Sequence, residues 1–156
     1  MYLDKLGEFD PTGSAITVTR DSTNVIDLSQ NRDLGAAPDG NPVRLVINVD
    51  TTFTDDSGVD GTITISVLCA TTAQGVSGTY QTLAVSKAYG VTELVAGSQL
   101  FPIDLPSVAS GQSPYEFLKL TYTVANATFS TGKVGAWLVA DRDDQYAYPS
   151  GFTVTN

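Results

Sequence analysis

The chain has 156 residues, enough for one domain to bury about 70% of the surface its unfolded form exposes. It holds no His and one Cys, which removes the commonest general acid/base near neutrality and any disulfide within the chain. Asp and Glu number 17 against 8 Lys and Arg, a net charge of −9 that excludes the phosphate neutralisation on which nucleic-acid binding rests.

The opening Met1-Tyr2-Leu3-Asp4-Lys5 lacks the basic start and apolar run of a secretory signal. No apolar stretch reaches the ~18 residues of a membrane helix. The expectation is a soluble protein, used without export and without a membrane partner. Residues 1–11 mix charges with Tyr2, Leu3, Leu6 and Phe9 ahead of the first alternating run. Two uses are open for them: a frayed terminus, or an arm whose apolar residues pack on a neighbouring subunit.

Alternation of period two then recurs along the chain. Over residues 14–20, Ile16 and Val18 oppose Thr17 and Thr19; over 44–50, Leu45, Ile47 and Val49 oppose Arg44, Asn48 and Asp50. Over 61–69, Ile63, Ile65, Val67 and Cys69 alternate with Thr62, Thr64 and Ser66. Over 118–124, Leu118, Leu120, Tyr122 and Val124 alternate with Lys119, Thr121 and Thr123. Shorter strands are predicted over 24–28, 79–85, 92–95, 99–104, 133–140 and 152–155. Turn signals separate the runs, among them Asp39-Gly40, Asp60-Gly61, Ser77-Gly78, Ser110-Gly111 and Thr131-Gly132. No window holds a helical apolar repeat. The pattern predicts an all-β fold, a two-sheet antiparallel sandwich of jelly-roll or other Greek-key type over residues 12–156, behind an arm at 1–11.

The run from Val134 to Ala140 is apolar on both faces, with Trp137 and Val139 opposite Val134, Ala136, Leu138 and Ala140. Such a strand is either central and covered on both sides, or it carries an oligomer contact through Trp137. Cys69 is in phase with Ile63, Ile65 and Val67 and is expected to face the core as a small hydrophobe.

Candidate chemistry is sparse. Carboxylates cluster at Asp50, Asp55, Asp56 and Asp60 and again at Asp141, Asp143 and Asp144, but neither cluster has the alternating spacing of a calcium loop. A hydrolase built on them would need two carboxylates fixed across a cleft, which the sequence does not indicate. No Ser or Cys has a His to activate it. The chain is therefore expected to be no enzyme and to need no metal or other cofactor. Tyr146, Tyr148 and Phe152 follow the second acidic stretch and suit either stacking on sugars or a protein interface.

Three segments, Asp4-Lys5-Leu6, Ser22-Thr23-Asn24-Val25-Ile26-Asp27-Leu28 and Asp33-Leu34-Gly35, resemble the start of the jelly-roll capsid cement proteins of short-tailed double-stranded-DNA phages. The resemblance continues through Val43-Arg44-Leu45-Val46-Ile47-Asn48-Val49 into Thr52-Phe53, and returns over residues 115–124 and 132–141. Where family members carry further glycines, this chain has Ala36-Ala37-Pro38-Asp39.

The resemblance implies a decoration protein without an active site. It would be made in the cytoplasm of a host bacterium and act on the outer surface of the virion. There, as a homo-dimer or homo-trimer, it would tie neighbouring copies of the major capsid protein together against the pressure of packaged DNA. Apolar residues outside clear core alternation supply candidate contacts: Tyr2, Leu3, Leu6 and Phe9 in the arm, Ile26 and Leu28, Trp137, and Tyr146, Tyr148 and Phe152 near the C-terminus. The alternative reading is a carbohydrate-binding sandwich module or the head of a tail fibre.

Overall fold

A computed structural model describes residues 7–28, 43–56, 60–70, 80–105 and 116–139. These residues hold nine strands and no helix: β1 (Glu8–Ala15), β2 (Arg20–Asp21), β3 (Ile26–Asp27), β4 (Arg44–Asp55), β5 (Thr62–Ala70), β6 (Gln81–Gly90), β7 (Gln99–Asp104), β8 (Phe117–Ala125) and β9 (Phe129–Val139). They form an antiparallel sandwich. One sheet has the order β1-β9-β4-β7; the other has β2-β8-β5-β6, with β3 also pairing to β8.

The alternation seen in the sequence becomes the core. Leu45, Ile47, Val49 and Phe53 point inward from β4, and Val134, Ala136 and Leu138 from β9. They meet Ile63, Ile65, Val67 and Cys69 of β5 and Leu118, Leu120 and Tyr122 of β8. Each fully buried aliphatic or aromatic side chain contributes roughly 1.5–3 kcal/mol, so this cluster is the main source of stability. Cys69 faces the core as expected, and its burial pushes the thiol above its ordinary pKa. Phe53 and Phe129 meet edge to face, ring centres 5.2 Å apart at 81°, and close one end of the core. Between β5 and β6 the ladder slips after Thr64, and the Ser86 hydroxyl accepts the Ile65 N–H at 2.9 Å. That bulge distorts a long edge strand, a common guard against pairing with another chain.

Three expectations about elements are corrected. The first strand does not run over 14–20 but over Glu8–Ala15, so the end of the expected arm, residues 8–11, belongs to the sandwich. An edge strand tolerates Pro11, and Gly13 takes a φ of 87° while its N–H donates to Asp50 Oδ2 at 2.7 Å. The chain bends over 17–19, and Val18, expected to share a face with the buried Ile16, is 53% exposed. Residues 92–95 form a turn rather than a strand, inserting Leu94 into the core while its carbonyl accepts the Phe53 N–H at 3.0 Å. Thr131-Gly132 marks no turn; both residues lie inside β9.

Candidate functional site

Two local arrangements stand out beyond the apolar core. The first is polar and lies between the sheets. Asp10 of β1 is fully buried and receives four hydrogen bonds. Its Oδ1 accepts from Arg20 Nη1 at 3.0 Å, from the Thr23 N–H at 3.0 Å and from the Thr23 hydroxyl at 2.7 Å. Its Oδ2 accepts from the Tyr122 hydroxyl at 2.7 Å. Arg20 also donates to the carbonyls of Ala15 and Asp21, each at 2.8 Å, and its guanidinium lies 5.2 Å from the centre of the Tyr122 ring. A buried carboxylate needs such a set, because leaving one unpaired costs several kcal/mol. The same stretch grips the neighbouring backbone. The Asn24 N–H donates to the Phe9 carbonyl at 2.8 Å, and the Asn24 amide group donates to the Glu8 carbonyl at 3.1 Å.

Burial, then the charge of Asp10 and the hydrogen bond to it, hold the Tyr122 phenol well above its ordinary pKa. A group whose folded pKa is raised gives a contribution that is complete below its unfolded pKa, about 10 for Tyr, and lost as pH climbs through the folded value. The protein is therefore expected to lose stability on the alkaline side of about pH 10 more steeply than a Tyr122→Phe variant. At neutral pH that variant is weaker by about 1–2 kcal/mol, because Asp10 loses a donor. Thermal melts from about pH 8 to about pH 12 check both statements, and parallel alkaline losses would contradict the assignment.

The second arrangement is apolar and lies on the outer face of the β1-β9-β4-β7 sheet. Trp137, Val46 and Val139 form a separate cluster there, and Val46 pairs directly with Trp137 across β4 and β9. The indole lies across Gly135, where a Cβ would come within 2.2 Å of the ring, so Trp137 keeps only 7% of its surface exposed. An Arg44–Asp104 ion pair at 3.1 Å crosses from β4 to β7 beside this cluster. The outer face of the other sheet is different in character. Thr62, Thr64 and Ser66 of β5 stand beside Thr121 and Thr123 of β8, and Lys119 donates to Asp21 at 2.7 Å. Burial works against the Asp21 carboxylate, yet hydrogen bonds from Lys119 and Thr121 hold its pKa below the ordinary value. At one end of the sandwich an open groove of 530 Å³ is lined mainly by Val18, Thr19, Val124, Asn126 and Ala127.

The expected contact residues are distributed unevenly. Phe9 and Ile26 are corrected: both are core residues of their own chain, at 0% and 1% exposure, so neither side chain is a surface contact. Phe9 is buried because β1 joins the sheet, and Ile26 because β3 pairs with β8 over the core. Leu28 is half-buried against the same core. Trp137 lies on a strand between β1 and β4, with its side chain on the outer face of the sheet beside Val46 and Val139. Tyr2, Leu3, Leu6, Tyr146, Tyr148 and Phe152 lie outside the described residues, as do Asp141, Asp143 and Asp144. Asp50 and Asp55 are on β4, and among the described residues no group of three or more Asp, Glu or Cys is placed to hold a metal ion.

Sequence reasoning missed the Asp10 cluster. One signal was present: Tyr122 is in phase with Leu118 and Leu120, and a Tyr in a core position needs a partner for its hydroxyl. No curated protein matches this chain. The model of a protein family described as Bbp16 matches residues 11–138, a span that runs from within β1 to the last residues of β9. The chain belongs to the Bbp16 family, a phage-related protein family.

Proposed function

We propose that this protein is a structural component of a phage virion that decorates the outer capsid surface and cements neighbouring capsomers through protein–protein contacts. The observation that carries the reading is the family match over residues 11–138, which spans nearly the whole sandwich rather than an appended motif. The residues that resemble capsid cement proteins support it, because Thr23 and Asn24 of the segment 22–28 hold β1 in the fold. The strand order supports the finer fold reading as well. Two sheets of four principal strands, in the orders β1-β9-β4-β7 and β2-β8-β5-β6, are consistent with the jelly roll that this reading includes. A net charge of −9 suits a place outside the shell, away from packaged DNA.

In this reading the protein works as a homo-dimer or homo-trimer, each copy touching the major capsid protein. Individually weak contacts then add through tethering, because the second contact of a bound oligomer is intramolecular. The test is co-sedimentation of the purified protein with matching phage shells stripped of decoration. Saturable, stoichiometric binding together with a higher melting temperature of the shell is the expected result. Absence of binding, or binding that leaves shell stability unchanged, overturns the cement role.

A further inference from the structure

Among the described residues, strand β1 is the edge of its sheet and pairs with β9 alone. Its register against β9 breaks twice, between Glu8 and Asp10 and again between Asp10 and Ser14. Pro11 has no N–H to give, and the Gly13 N–H goes to Asp50 instead of the ladder. The ladder alone is a weak attachment. What ties the strand to the opposite sheet is concentrated on residues 8–10, gripped by the segment 20–24. Asp10 takes bonds from Arg20, Thr23 and Tyr122, while Asn24 holds the carbonyls of Glu8 and Phe9. After β1 and the buried Ile16 comes an exposed bend at 17–19, tied to the rest of the sandwich through the Thr17 carbonyl and the Thr19 hydroxyl, where the chain turns toward the second sheet and can act as the hinge.

We propose that β1 is an exchangeable strap: Asp10 latches it to the second sheet, and unlatching lets it leave its own sheet and pair with the same β9 edge of a second copy of this chain. The second copy is the occupant the geometry favours, because the bared edge already matches this strand in register and in the pocket for Phe9. A swapped strand makes the same contacts between chains that it made within one, so exchange costs little beyond the entropy of association. The inference stands on the fold alone and does not depend on the capsid reading.

The test compares the full chain with an Asp10→Ala variant and a milder Thr23→Ala variant, which keeps the carboxylate and removes one donor. Hydrogen exchange in dilute solution should show protection over residues 8–15 falling about a hundredfold more than over β5 in Asp10→Ala, and less in Thr23→Ala. At high concentration, light scattering should show Asp10→Ala forming dimer faster than the unchanged chain and reaching the same final mass, because the latch bonds are made alike in the closed and the exchanged state. An Asp21→Asn control, which loosens the exposed Lys119 pair beside β2, should change neither reading. If protection falls equally over β4, β5 and β8, or falls over 8–15 without faster dimer formation at high concentration, the strap does not exchange. A folded Thr23→Ala variant with unchanged protection and an unchanged rate of dimer formation overturns it too, whether or not Asp10→Ala folds.

Discussion

Replacing Gly132 by Ala is expected to cost about 3–5 kcal/mol, because it combines backbone strain with an overpacked core. Gly132 sits inside β9 at a φ of 145°, a conformation that residues with a Cβ rarely adopt. A Cβ built there would lie 2.1 Å from Cδ1 of Phe53 and 2.4 Å from Cε1 and Cγ of the same ring. The ring has no room to retreat, since Phe53 is fully buried and held edge to face against Phe129. Urea denaturation should show a lower midpoint at an unchanged slope. Adding Phe53→Leu should recover part of the Gly132→Ala loss, because the smaller side chain removes the clash and leaves only the strain. A double variant no better than the sum of the singles would place the cost elsewhere. A loss below about 1 kcal/mol for the single change would show that the ring yields freely.

The glycine that the sequence marks as a turn is thus a close approach in the middle of a strand. The signal was real, but its meaning depended on a partner 79 residues away. The same distinction runs through the whole fold. Strands β5 and β8 are legible because a buried face and a wet face impose alternation, as in Ile63 to Cys69 against Thr62 to Ser66. Strand β1 is not legible. Its sequence, Glu-Phe-Asp-Pro-Thr-Gly-Ser-Ala, has poor strand propensity and becomes a strand only because β9 offers it an edge. Residues 92–95 look like a strand and form a turn, because Leu94 alone is wanted in the core.

Two of the candidate contacts, Phe9 and Ile26, failed for a related reason. Apolar residues in short or irregular segments, such as Phe9 and Ile26, looked surplus to the core when the segments were judged by their own periodicity. Tertiary pairing to β9 and β8 buries both. Asp10 was hidden in the opposite sense. One of its partners, Tyr122, is 112 residues distant in sequence, so no local spacing could have joined them. What the sequence does carry is the chemistry of the outer faces. Hydroxyl-bearing residues alternate on β5 and β8, whereas Val46, Trp137 and Val139 mark the other sheet as apolar outside as well as in.

The buried cluster gives the second large effect, and it separates charge from shape. Arg20→Met is expected to cost about 3 kcal/mol, because it keeps the unbranched apolar stem of the side chain and strips the cation from a carboxylate that has no access to water. Thr23 and Tyr122 would still donate to Asp10, so the variant should fold. Arg20→Lys should fall between the two. A lysine keeps the charge, but its single ammonium cannot reproduce the fork that serves Asp10 and the carbonyls of Ala15 and Asp21 together. The decisive measurement is a cycle with Asp10→Asn. If the Arg20–Asp10 attraction matters beyond packing, each single change leaves a stranded partner and the double variant removes both charges, so the double should be milder than the sum by about 1–3 kcal/mol. Additivity within about 0.5 kcal/mol would mean that the guanidinium acts mainly through its carbonyl bonds and its stacking on Tyr122, with the carboxylate held by its neutral donors.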